Sequence, residues 1–226
     1  MDIKTLNMHD NPLSDKIVSL GSTSFKLWLE FEETTPWDDV TNDFANVIVD
    51  TLDGRSYAIN IWTFKFHQTA LKHEANEGNE QYLIPPDLFV NELTRPRIEQ
   101  VISNLLDVGP LESVLNPSVF GLKFIEPYWS RWDMEDDMIE GLTNELHREM
   151  PNDHPLKDQT FQLLARDQRN DDIILELDDE SIAVIHLTWK QSQEFSGFPL
   201  TRMYPSPQAF WEAEMREVIK EYRNTE

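Results

Sequence analysis

Cysteine is absent and glycine is scarce, with seven in 226 residues. The lack of cysteine excludes disulfides, thiolate nucleophiles and every Cys-ligated zinc or iron–sulfur centre. The few glycines form no phosphate-cradling loop. Basic residues are outnumbered as well: 19 Lys and Arg stand against 42 Asp and Glu, a formal charge of −23. Such a surface repels phosphate backbones, so direct nucleic-acid binding is not expected. No apolar run approaches the roughly 18 residues of a membrane span, so no membrane partner is expected. The opening stretch MDIKTLNMHDNPLSDKIVSLG carries no apolar signal-peptide region, and cytoplasmic residence is the expectation.

What is present suffices for folded cores. Apolar residues make up 39%, with seven Trp and twelve Phe, unlike a disordered acidic chain. The length fits one large domain or two of about a hundred residues each. Residues 1–24 read as an N-terminal arm. FKLWLEFEE and ANVIVD then alternate as strands, and LDGRSYAINIWTFKF adds a third through the hairpin signal Asp53-Gly54. HQTALKHEANEGNEQ reads as a polar loop holding at most one helical turn. YLIPPDLFV is barred from a central strand by its prolines, with Asp87 as a cap for a short helical turn. Ile98, Val101, Ile102 and Leu105 then mark one helical face. Gly-Pro and Asn-Pro steps in DVGPLESVLNPSVF discourage regular structure and place a boundary there.

Beyond it, Met134, Met138, Leu142, Leu146 and Met150 step by four along a helix, with Ile139 beside them. TFQLLARDQ, DDIILELD and SIAVIHLTW read as three strands and KQSQEFSGFPLTRMY as a loop. Ser206-Pro207 then opens a last helix, with Trp211, Met215, Val218, Ile219 and Tyr222 as its stripe. The expected fold is α+β, with two small antiparallel three-stranded sheets, each packed with helices. Residues 25–110 form a βββα domain and residues 111–226 an αβββα domain. LDGRSYAINIWTF and LDDESIAVIHLTW share Leu, Asp, Ser, Ala and Thr at the same offsets, a weak sign of two similarly built halves.

No chemical motif stands out. A two-residue turn at Asp179-Glu180 sets His186 opposite Ile173, at the end of an apolar row. Ser181 then lies on the opposite face, out of hydrogen-bond reach for a Ser–His dyad. His186 therefore reads as structural. His67 with His73, and His147 with His154, lack the HExxH spacing of a zinc helix. DDIILELDDE has the charge of a calcium loop but not its pattern. Neither a catalytic residue, a metal nor a cofactor is expected, and the chain reads as non-enzymatic.

The acidic clusters are the better candidates, since an excess of one charge attracts partners of the other. Glu30, Glu32, Glu33, Asp38, Asp39 and Asp43 form the first. Asp133, Glu135, Asp136, Asp137 and Glu140 form the second, which helix capping explains. Asp171, Asp172, Glu176, Asp178, Asp179 and Glu180 form the third, where like charges line up along one strand face at a mild cost. Asp171, Asp172, Glu176, Asp178, Asp179, Glu180, Glu32, Asp38 and Asp39 are the candidate partner-binding residues. Trp37 and Trp129 are candidate aromatic anchors.

AINIWTFKF with YLIPPDLFV, and DDIILELDDESIAVIHLTW with a Trp-containing final helix, resemble small uncharacterised bacterial proteins of the immunity type, partners of polymorphic or contact-dependent toxins. The resemblance implies a protein that neutralises a cognate toxin, with an acidic surface over a basic cleft. It marks no binding residue. A two-domain adaptor or regulatory protein with an apolar interface is the alternative, and a hydrolase assembled from scattered carboxylates a third reading.

Overall fold

The computed structural model describes residues 13, 15–33, 39–77 and 85–225. The chain is α+β and divides into two compact units, Met1–Gly121 and Leu122–Glu226. The division falls within the short strand Phe120–Leu122, whose first two residues belong to the first unit.

The first unit is built on a six-stranded sheet rather than a three-stranded one. The three expected strands are its centre: β2 (Phe25–Leu29), β3 (Phe44–Thr51) and β4 (Arg55–Thr63), all antiparallel. Short pieces extend it at the margins: β1 (Ile17–Val18) beside β2, and β5 (Leu88–Val90) and β6 (Phe120–Leu122) beside β4. The β5 pairing is parallel, with Ile61 opposite Leu88. Leu27, Leu29, Val47, Val49, Tyr57, Ile59 and Ile61 alternate onto one face and are buried with Ile98 and Ile102 of α2 (Arg95–Val108). That helix begins with Pro96 in its first turn and matches the apolar spacing in the sequence.

Two local expectations fail here. The polar stretch after β4 is a helix, α1 (Phe64–Glu77), rather than a loop. Lys65, Gln68, Thr69, Leu71, Lys72 and His73 are exposed, and only Phe66, His67 and Ala70 among its described side chains are half-buried, so the apolar signal is too short to read. Asp87 caps no helix. Its Oδ2 accepts from the Asn60 amide at 2.7 Å and its Oδ1 from Asn116 Nδ2 at 2.7 Å, pinning the entry to β5. The Gly-Pro and Asn-Pro stretch holds one turn of helix, α3 (Leu111–Val114), before β6.

The second unit has five antiparallel strands instead of three, in the order β11-β10-β9-β8-β7. β8 (Phe161–Asp167), β9 (Asp172–Leu177) and β10 (Ile182–His186) are the expected ones. β7 (Tyr128–Ser130) and β11 (Leu200–Tyr204) are the margins, the latter inside the segment read as a loop. Both faces of β9 and β10 are covered. Ile173, Leu175, Leu177, Ala183, Ile185 and Leu187 cluster with Leu142, Leu146 and Met150 around α4 (Asp136–Glu149). Opposite them, Ile174, Ile182 and Val184 are buried on the face that meets the C-terminal helix through Tyr204 and Phe210, whose rings lie 5.4 Å apart. This helix runs from α5 (Pro207–Phe210) through a π-turn at Trp211–Met215 into α6 (Arg216–Arg223). Ser206 Oγ accepts from the Ala209 amide at 3.1 Å, as the Ser-Pro start predicts.

The β9–β10 turn has three residues, not two. Leu177 and Glu180 close it, the Glu180 amide donating to the Leu177 carbonyl at 3.0 Å, and Glu180 takes φ 65°. The β3–β4 turn has the same form, closed from Gly54 to Thr51, with Gly54 at φ 90°. Thr51 therefore corresponds to Leu177, whereas the shared letters equate Leu52 with Leu177. The echo is out of step by one residue, and in a strand one residue exchanges the faces. Tyr57, Ile59 and Ile61 face the first core, and their structural counterparts are Ala183, Ile185 and Leu187.

Among the described residues, no helix is long and apolar enough to cross a membrane, and no group of His, Asp and Glu could hold a metal ion.

Candidate functional site

The longer turn changes the surroundings of His186. It pairs with Asp172 instead of Ile173, and its Nδ1 lies 2.8 Å from Asp172 Oδ1. Asp172 Oδ2 accepts from Arg202 Nη2 at 2.9 Å. The same guanidinium forks onto Glu214, Nε to Oε2 at 3.0 Å and Nη2 to Oε1 at 2.8 Å, while Tyr204 Oη donates to Glu214 as well. Hydrogen bonds donated to Glu214 and Asp172 raise the Arg202 pKa further, and burial raises that of Tyr204. The network ties β9, β10 and β11 to the C-terminal helix.

Half of the third acidic cluster is thus spoken for. Asp172 is buried in that network, and Asp171 Oδ1 accepts from Arg166 at 3.2 Å. Asp179 Oδ1 accepts from the Ser181 amide at 3.1 Å and hydroxyl at 2.6 Å, which holds its carboxyl below the usual range. Asp178 lies in the turn rather than on the strand, so the expected line of like charges along the strand is broken. Only Glu176, Asp178 and Glu180 of the cluster have no side-chain partner among the described residues.

The first cluster is similarly engaged. Glu32 takes a two-pronged contact from Arg95, Nε to Oε1 at 2.6 Å and Nη2 to Oε2 at 2.5 Å. Asp39 accepts from Lys65 Nζ at 2.7 Å and from Thr41, and these bonds hold its carboxyl down to about 2. Glu30 accepts from the Asn46 amide at 3.0 Å, and Glu33 from Trp28 Nε1 at 2.5 Å. Asp38 and Trp37 lie outside the described residues.

The second cluster, the one capping explained from sequence, is the least engaged. Glu135 occupies the N-cap of α4, yet its side chain makes no capping bond. Asp137 Oδ1 accepts only the adjacent Met138 amide, at 2.8 Å. Asp133, Glu135, Asp136 and Glu140 are exposed and have no side-chain partner among the described residues. Favourable placement at a helix N-terminus is their one internal compensation. Immediately before them, Ser130 Oγ accepts from the Trp132 amide at 3.4 Å and starts a 3₁₀ turn, Arg131–Asp133. That turn leaves the Trp132 indole 67% exposed. Trp129 is not the exposed anchor: its ring packs against the core and its Nε1 donates to the Asp133 carbonyl at 3.1 Å.

Along the next turn of α4 runs an open recess of about 310 Å³, lined by Asp137, Met138, Gly141, Leu142, Arg166 and Trp189. Gly141 has open space where a Cβ would stand. On the far side, Trp189 adopts φ 55° in a segment strapped to α4 by two buried carboxylates. Glu149 accepts from the Thr188 amide at 2.9 and 3.0 Å, and Glu145 from the Gln191 amide at 2.9 Å. The segment Trp132–Glu140 therefore carries an exposed indole and four carboxylates that have no side-chain partner among the described residues, and a shallow recess follows along α4. Arg55, Arg95, Arg148, Arg166, Arg169 and Arg202 each pair with a carboxylate of their own unit. No protein-family model, curated protein or solved structure matches the chain.

Proposed function

We propose that the chain binds a basic protein and neutralises it, with the N-terminal face of α4 as the contact surface. The observation that carries the reading is Trp132, 67% exposed in a stretch of chain whose carboxylates Asp133, Glu135, Asp136 and Glu140 have no side-chain partner among the described residues. An aromatic ring beside unpaired acids suits a Lys or Arg side chain, through the ring face and the charge together. The charge of −23 speeds the encounter and favours a cationic surface. An immunity protein covering the basic substrate cleft of a toxin is the form that the sequence resemblance suggests. Inhibition of that kind needs a complementary surface and no catalytic residue of its own. An adaptor or regulatory protein would instead hold its partner through apolar contacts that salt leaves intact.

The test has two stages. The tagged chain is used to capture partners from its host, and bound proteins are released along a salt gradient and identified. Affinity is then measured for Trp132→Ala, and for a variant carrying Asp133→Asn, Glu135→Gln, Asp136→Asn and Glu140→Gln. The expected loss for Trp132→Ala is at least about tenfold, the size of an interface anchor. The neutralised variant should associate more slowly and show a shallower salt dependence. Unchanged affinity in both variants removes this face, and a complex indifferent to salt favours the adaptor.

A further inference from the structure

The exposed large apolar side chains of the second unit are concentrated. Apart from Trp132 they are Trp189, Phe195, Phe198, Leu200 and Met203, all in the segment after β10 or in β11. β11 is the outermost strand of its sheet, and among the described residues none of Leu200–Tyr204 makes a backbone hydrogen bond beyond the ladder to β10. The other margins are shorter: two residues in β1 and three each in β5, β6 and β7. Soluble proteins usually blunt an open edge with shortness, a bulge or an outward lysine. β11 has five residues, LTRMY, and its one charge is already drawn inward by Glu214 and Asp172. Pro199 and Pro205 bracket it and define the length of the open edge.

We propose that β11 accepts an extended, net-basic segment of a partner protein as a sixth strand of the second sheet. The free edge offers main-chain donors and acceptors, and Leu200 and Met203, on opposite faces, give an incoming strand an apolar contact on each side. The charge selects the occupant. A chain of formal charge −23 favours a cationic strand and disfavours a second copy of itself. Self-pairing about the central residue of β11 would also set Arg202 against its own counterpart, a like-charge pair directly across a ladder. This surface is separate from the α4 face and stands or falls independently of it.

The test uses the full chain, labelled for residue-resolved amide NMR. The probe is a blocked peptide of alternating lysine and valine, with the matching glutamate–valine peptide as its control. The expected result is that the lysine peptide shifts the amides of Leu200–Tyr204 and slows their exchange, while the glutamate peptide does neither. Leu200→Lys with Met203→Lys should weaken that response at least about tenfold, because an added edge charge blocks strand addition. Trp132→Ala should leave it intact, which separates this proposal from the α4 reading. A lysine peptide that perturbs only residues around Asp133–Glu140 is held by charge alone and overturns the proposal. Equal response to both peptides overturns it as well. So do concentration-dependent β11 shifts without peptide, which assign the edge to a second copy.

Discussion

Asp172 is buried and meets three side chains, His186, Arg202 and Asn170, the last donating from Nδ2 at 3.4 Å. Removing its carboxylate leaves Arg202 with Glu214 alone and His186 without its acceptor. Asp172→Ala should therefore lower unfolding free energy by about 2 kcal/mol, the usual range for hydrogen bonds to a charged group. Asp178→Ala, in the turn at the other end of β9, should change it by no more than about 0.5 kcal/mol. Urea denaturation of both variants checks the contrast between a structural acid and a free one. His154 gives a prediction in pH. It is buried, with Nδ1 accepting from the Leu156 amide at 3.2 Å and Nε2 lying 3.1 Å from Thr201 Oγ1. Burial pushes its pKa below the ordinary value. The unfolded chain therefore takes up the proton first as pH falls. The stability that neutral His154 contributes is present above about pH 6.5 and is lost as pH drops through the lower folded value. Between about pH 7.5 and 5.5, urea midpoints should fall more steeply for the native chain than for His154→Gln.

The elements legible in the sequence are those with a long period. Ile98, Val101, Ile102 and Leu105 fall on the core side of α2, and Met134, Leu142, Leu146 and Met150 on that of α4, because several turns repeat the same apolar signal. The five marginal strands are two to five residues long and have little or no alternation to read; β11 was further masked by Gly197, Pro199 and Pro205. α1 is illegible because its half-buried side, Phe66, His67 and Ala70, is a short patch on a mostly exposed helix. The candidate site is legible in the sequence only as composition. Composition marks three acidic clusters, but whether each carboxylate finds a donor depends on residues as distant as Arg95 from Glu32 or Arg202 from Asp172. The strap between α4 and the segment after β10 shows how far one acid can act on its element. Glu149 is fully buried and its two oxygens hold the Thr188 amide. Glu149→Ala should cost about 2 kcal/mol. Hydrogen exchange should show the loss of protection concentrated at residues 188–194, with α4 itself retained.

At the scale of the whole molecule the charge of −23 is a destabilising term, because like charges are closer together in the folded chain than in the unfolded one. Raising ionic strength from about 0.01 M to 0.15 M shortens the screening length from about 30 Å to 8 Å. The thermal midpoint should rise over that interval by several degrees in calorimetry. A fall would place the balance with the ion pairs, such as Arg95 with Glu32, that salt also weakens. The division into Met1–Gly121 and Leu122–Glu226 gives each sheet its own core. The two turns built alike, from Thr51 to Gly54 and from Leu177 to Glu180, bear on any attempt to recombine those units. A chimaera that exchanged the hairpins by their matching letters would splice a turn residue, Leu52, onto a strand residue, Leu177. Every transplanted side chain beyond the joint would then turn over, placing Ile182 and Val184 where Tyr57 and Ile59 meet the core. A graft cut one residue later, with Gly54 matched to Glu180, keeps each side chain on its own side of the sheet.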